Sequence, residues 1–205
     1  MGTLLSLDAL RANLKAPEAR PERPSWDLPE LSGRLVELCS HGASATFTLA
    51  FALVLDAQNR GEPAAWLTDT SRSFFPPDAA RCGVDLAALA VVRLPDVNAV
   101  PRAADPLLRS GAFGLVVLDL GRTAVPAPLQ SRLLGLAHQH QAAVVFLTEK
   151  PVSAPSLGSL VSLRAEVSRR AGPDGFDCAL RAGKDKRRAP GWTHAEVRRG
   201  PDGLR

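Results

Sequence analysis

The chain has 205 residues, 45% of them apolar, enough to bury one sizeable core and pointing to one domain with tails. No run reaches the roughly 18 apolar residues that a bilayer crossing needs, and residues 1–16 lack the basic region, apolar core and cleavage site of an export signal, so a cytoplasmic protein with no membrane partner is expected. The net charge of +4 is unevenly placed: residues 164–205 carry eleven basic and six acidic side chains, which permits contact with nucleic acid or an acidic partner and equally suits a solvated edge.

Taken in order, Leu7, Leu10 and Leu14 fall on one stripe of a short amphipathic helix predicted over 3–15. Pro17, Pro21, Pro24 and Pro29 then predict a linker without regular structure over 16–29. A helix tethered this way can dock on its own body or on another chain. Next come an apolar strand over 34–39, a small-residue turn over 40–45 and a helix from Thr46 to about 58, the layout of a phosphate-binding loop. A working loop needs G-x-x-x-x-G-K-[ST]: glycines that let backbone N–H groups close round phosphate, a lysine for the β- and γ-phosphates, and a hydroxyl for Mg²⁺. Here the glycine, lysine and hydroxyl positions fall on Ser40, Ala45, Thr46 and Phe47. The stretch Ser40, His41, Gly42, Ala43, Ser44, Ala45, Thr46, Phe47 therefore reads as a degenerate nucleotide loop with neither cation nor metal handle. No catalytic residue, metal or cofactor is expected, and the scaffold reads as a binding body.

A short strand over 64–68 follows, then a hydroxyl- and proline-rich loop over 69–77 and a short helix over 78–82 closed by Gly83. Strands over 89–94, 113–120 and 142–148 alternate with an irregular, proline-containing helix over 98–110 and a helix over 127–141. Strands apolar on both faces and alternating with helices predict an α/β fold with a covered parallel sheet. Beyond Lys150 three strands (161–170, 176–182, 193–199) are separated by Gly-Pro-Asp-Gly and Gly-Lys-Asp-Lys turns. Leu163, Ala165 and Val167 inward against Arg164, Glu166 and Ser168 outward predict an antiparallel edge with one wet face. Cys39, Cys82 and Cys178 are far apart and predict buried free thiols. His138 and His140, two apart on a helix, do not make a metal pair. Phe176 and Trp192 either pack on the edge strands or stack on bases.

Six segments in register, from GRLVEL through TLAFALVLDAQNRGEPAAWLTD, AARCGVDLAAL, SGAFGLVVLD, VVFLTEK and SLRAEVSRR, followed by GKDK, resemble the core of the bacterial RecA recombinase between about 31 and 200. The resemblance implies a RecA-like core, mostly parallel with helices on both faces and an antiparallel C-terminal edge. It divides the chain into helix and proline-rich linker (1–30), core (31–200) and tail (201–205). RecA's catalytic glutamate is replaced by Asp69-Thr70-Ser71. Asp119 matches the second nucleotide motif, as a vestige of it or as a turn cap. The γ-phosphate-sensing glutamine position holds Glu149, whose carboxylate would repel phosphate. The two DNA-binding segments of RecA are shortened to 121–126 and 150–159. Lys184 and Lys186 fall where RecA carries a lysine pair that reaches the neighbouring nucleotide site. With Leu7, Leu10, Leu14, Arg187, Arg188, Arg198 and Arg199 they are candidate partner or DNA contacts.

A core of this size with a ruined phosphate loop is similar to the ImuA family of SOS mutagenesis and, more distantly, to SulA, the division inhibitor that binds FtsZ. The ImuA resemblance implies a non-catalytic accessory role in damage-induced translesion synthesis, with ImuB and the error-prone DNA polymerase as partners and RecA as a further one. Direct contact with DNA is left open. The alternatives are a RecA paralogue with residual ATP or single-stranded DNA binding, and a SulA-type division inhibitor.

Overall fold

A computed structural model of the chain describes residues 24–42, 44–72, 74–151, 153–173 and 175–198. The parallel half comprises β1 (Leu35–Ser40), α2 (Thr46–Asn59), β2 (Ala64–Asp69), α3 (Pro76–Arg81), β3 (Leu89–Leu94), α4 (Val100–Arg109), β4 (Leu115–Gly121), α5 (Ala127–His140) and β5 (Ala143–Glu149), preceded by the single turn α1 (Leu28–Leu31). The edge comprises β6 (Leu163–Gly172), β7 (Gly175–Asp185) and β8 (Thr193–Arg198). One sheet runs in the order β3-β2-β4-β5-β1-β6-β7-β8. Pairing is parallel from β3 across to β6 and antiparallel from β6 to β8.

Successive strand residues face opposite sides, so strands apolar throughout must be covered twice. Val36, Leu38, Trp66, Val117 and Val145 pack with Leu49 and Leu53 of α2. Leu35, Leu67, Val116, Leu118 and Phe146 pack with Val100, Ala104 and Leu108 of α4 and with Leu133 and Ala137 of α5. Each fully buried leucine-sized side chain contributes about 1.5–3 kcal/mol of hydrophobic stabilisation. On the edge, Leu163, Ala165 and Val167 are buried with Leu180 and Ala182, whereas Glu166 and Ser168 are exposed and Arg164 half-buried. This is the alternation the sequence predicts.

Three differences from the sequence reading have local causes. The linker gives way to packed structure before residue 29: Trp26, Leu28 and Leu31 are buried, the Trp26 indole N–H donates to the Leu49 carbonyl (3.0 Å), and Asp27 caps α1 by accepting the Glu30 N–H (3.0 Å). Pro29 fits because proline is tolerated in a first turn, where its missing N–H has no partner to lose. Second, Gly183, Lys184 and Asp185 belong to β7 and are not a turn. Third, the irregular helix resolves into a 3₁₀ turn (Val97–Ala99) leading into α4, which carries Pro106 inside it. Leu7, Leu10, Leu14, Arg199 and the tail lie outside the described residues, as does Ala43. Among the described residues Cys39 and Cys178 are buried free thiols and Cys82 is half-buried, no three or more His, Cys, Asp or Glu side chains are grouped to hold a metal ion, and no helix is long and apolar enough to cross a membrane.

Candidate functional site

Parallel strands bring their C-terminal ends to one rim, where the loops after β1, β2, β4 and β5 meet. A cleft of about 410 Å³ opens there, lined by Ser40, Ser44, Thr46, Phe47, Asp119 and Glu149, with His41 and Arg122 exposed at its mouth. Gly42 sits at φ +78, a left-handed conformation that favours glycine and lets the loop turn. The loop then satisfies itself. The Ser44 hydroxyl accepts the Thr46 N–H (3.0 Å) and shares a 2.5 Å hydroxyl–hydroxyl bond with Thr46, tying the turn to the first residue of α2. Phe47, at the metal-ligand position, turns inward, with its ring 5.6 Å from Trp66 and 6.4 Å from Phe51. Phe74 completes this aromatic cluster at 5.4 Å from Trp66. The loop is thus packed and tied by its own side chains.

Across the cleft stands Arg72, a residue that sequence reasoning did not single out. Asp69 ends β2, and its Oδ1 accepts the Ser71 N–H (3.0 Å), the Ser71 hydroxyl (2.9 Å) and the Arg72 N–H (2.9 Å), folding the chain back on itself. The Arg72 guanidinium then donates from Nε to Asp119 Oδ1 (2.7 Å) and from its terminal nitrogen to Glu149 Oε1 (2.6 Å). The Thr68 hydroxyl reaches the other Asp119 oxygen at 3.4 Å. Gly121, at φ +57 beside a bulge in β4, makes room, because a Cβ there would run into the Arg72 guanidinium. Burial pushes the Asp119 carboxyl above its ordinary value, against the pull of Arg72 beside it. Burial also works against the Arg72 charge, but Asp119 and Glu149 outweigh it and hold the guanidinium above its ordinary value. Asp119 and Glu149, the two carboxylates expected at the rim, are therefore brought together on an arginine.

The shortened loops are tied down from below by Glu37, a carboxylate inside β1 with no exposed side-chain surface. It accepts from the Ser156 hydroxyl (2.8 Å), the Leu157 N–H (3.0 Å) and the Thr148 hydroxyl (3.2 Å), and pairs with Lys150 (2.5 Å) and Arg164 (3.7 Å). From the other side the Gln130 amide donates to the carbonyls of Val125 (2.7 Å) and Leu157 (2.9 Å), linking 121–126 to 150–159. A lone Glu in an apolar strand was the available signal, since a buried carboxylate must have partners.

At the antiparallel edge, Arg34 and Asp185 form a 2.5 Å ion pair with both side chains out of solvent. Asp185 also accepts the Trp192 indole N–H and the Arg187 N–H, each at 2.9 Å, while Arg34 donates to the Ser162 hydroxyl (2.9 Å) and to Glu30 (3.3 Å). Burial opposes the Asp185 charge, yet hydrogen bonds from Arg187, Trp192 and Arg34 hold its carboxyl below the usual range. Burial pulls Arg34 down from the ordinary arginine value in spite of Asp185. Of the candidate contact residues, Lys184 donates to the Gly158 carbonyl (3.3 Å), Arg187 to the carbonyls of Glu30 (3.0 Å) and Ser32 (2.8 Å), Arg188 pairs with Glu30 (2.6 Å), and Arg198 with Glu196 (2.8 Å). Lys186 is exposed. Phe176 lies under Arg169, 4.9 Å from ring centre to guanidinium carbon, and both Phe176 and Trp192 pack against the core.

Strand order, crossover helices and a rim cleft at the end of β1 define an α/β protein of the RecA-like fold. The sequence is similar to RecA over part of its length. Protein RecA of Bifidobacterium breve is 35% identical over 94 residues, covering 46% of this chain and 24% of that protein. Protein RecA of Roseiflexus sp. (strain RS-1) is 31% identical over 137 residues, covering 57% of this chain and 38% of that one. The chain thus spans between about a quarter and two fifths of the curated relatives it matches. A crystal structure of the RadB recombinase superposes with a TM-score of 0.62 at 19% identity, covering 80% of this chain and 87% of that one, a likeness of fold. No family model matches. The expected RecA-like core, parallel with an antiparallel C-terminal edge, is what the structure contains.

Proposed function

We propose that this protein is a non-catalytic accessory factor of SOS-induced translesion DNA synthesis and mutagenesis, of the ImuA kind, working through protein contacts with ImuB and with RecA. The observation that carries this reading is the self-bonded loop: Ser44 occupies the Thr46 hydroxyl and amide, and Phe47 is committed to an aromatic cluster, where a nucleotidase needs a lysine and a metal-binding hydroxyl. A RecA-like body without a working phosphate loop keeps its surfaces, and surfaces are what an adaptor uses. The retained similarity to RecA supports a partner within the recombination and repair machinery. The test is capture of ImuB and RecA by the full chain and by a chain lacking residues 1–24. Binding to either protein by the full chain is expected, and binding to neither removes the reading.

A second reading, a RecA paralogue with residual ATP binding, is favoured by one observation, the Asp119 carboxylate at the end of β4. It predicts nucleotide binding that Asp119→Ala abolishes, measured by calorimetry.

A further inference from the structure

Asp119 is 1% exposed, and a carboxylate that deep is costly to ionise unless a cation answers it. Glu149 stands across from it at the end of the neighbouring strand, so the rim presents two carboxylates from β4 and β5 that face one point. The chain supplies the cation itself. Three features of the backbone serve this placement: the Asp69 turn that starts the return, the Thr70 N–H donated to the Leu94 carbonyl (2.9 Å) that pins it to β3, and the absence of a Cβ at Gly121 where the guanidinium lies. A planar guanidinium donates along two directions at once and so spans two carboxylates, which a lysine ammonium on its flexible stem does less well.

We propose that Arg72 is a built-in cation that decides what the rim cleft can hold: it occupies the position between Asp119 and Glu149 that a divalent metal would take, supplying one positive charge to the two carboxylates, and so closes the cleft to metal–phosphate ligands. The loop defects at Thr46 and Phe47 remove the means of gripping phosphate, and Arg72 removes the vacancy for the metal. Taking Arg72 away uncovers a divalent-cation site made of Asp119 and Glu149. The inference rests on the reading of the cleft as non-catalytic and adds the residue responsible. It is independent of which protein partner is bound.

The test uses the full chain and Mn²⁺ alone as probe, read by electron paramagnetic resonance of the free ion and by the thermal unfolding midpoint. Wild type is expected to take up no Mn²⁺ and to unfold at an unchanged midpoint. Arg72→Ala, and Arg72→Gln should the alanine variant fold poorly, are expected to bind Mn²⁺ at least about tenfold tighter than wild type, with a raised midpoint, and to lose this when Asp119→Asn is added. Variants that ignore Mn²⁺, or a wild type that binds it as well as they do, overturn the proposal. Wild type also answers directly by NMR. The Arg72 Nε–H signal is expected to be slow to exchange and unbroadened by Mn²⁺, and a broadened signal would contradict the assignment. Failure to capture ImuB or RecA would remove the adaptor reading and leave this result standing.

Discussion

Asp119 and Asp185 are equally buried and each is answered by an arginine, yet the two pairs sit in opposite settings. At the antiparallel edge Arg34 is 1% exposed, and a tryptophan, a serine and a backbone amide fill the remaining hydrogen-bonding positions of the pair. At the rim Arg72 is 22% exposed and is shared with Glu149, which is more than half exposed. The first pair is sealed, the second opens to water. The two arginines thus do different work: one closes a buried network, the other spans an open cleft. At the edge, Arg34, Asp185 and Glu30 form a network that joins the N-terminal turn α1 to β7. At the rim, Arg72 bridges Asp119 and Glu149 across a cleft open to water.

Breaking the sealed pair should have the largest effect. Asp185→Asn leaves the Arg34 guanidinium buried with only the longer pair to Glu30 at 3.3 Å, and a loss of about 3–5 kcal/mol in urea unfolding is expected. A loss below about 1 kcal/mol would erase the contrast between the two sites. Glu37→Gln should cost about 2–3 kcal/mol, because Lys150 loses its partner and the Leu157 N–H its charged acceptor. Faster amide exchange at Leu157, with β4 unchanged, would locate that loss in the 150–159 loop. Arg72→Ala should cost less, about 1–2 kcal/mol, since water reaches the rim and eases the isolation of Asp119.

The smallest effect sharpens the comparison by sign. The Asp185 carboxyl is held below its unfolded value, so its stabilisation is present above the ordinary aspartate pKa of about 3.9 and is lost as pH falls through its folded value. Asp119 is held above its unfolded value, so its contribution is present below about 3.9 and is lost as pH rises through its folded value. Asp185→Asn should therefore flatten the decline in stability on acidification, and Asp119→Asn should steepen it. Unfolding midpoints across the acid range check both, and slopes that move together would contradict the two settings.

What the sequence made legible follows from how far each signal reaches. The strand over 89–94 and the start of α2 at Thr46 are found where periodicity and composition place them, because these are local properties. The turn over 40–45 between β1 and α2 was equally readable, since its residues are contiguous. Arg72 was not. Its meaning depends on a side chain crossing from the end of β2 to the ends of β4 and β5, 47 and 77 residues away in sequence. The basic edge is legible in the same partial way: the charges of Arg187 and Arg188 are visible in the sequence, but their intrachain partner Glu30 lies 157 and 158 residues earlier. Asp27 followed by Glu30 was a legible cap for α1, hidden by the prolines around it.

The measurement that bears most directly on the account is a calorimetric titration of the full chain with Mg-ATP, followed by an assay for released phosphate. Heat that stays at the level of dilution, with no phosphate above the protein-free control, is the predicted result. Saturable binding accompanied by phosphate release would mean that the cleft between Ser40 and Phe47 still runs a nucleotide cycle, and the account would be wrong.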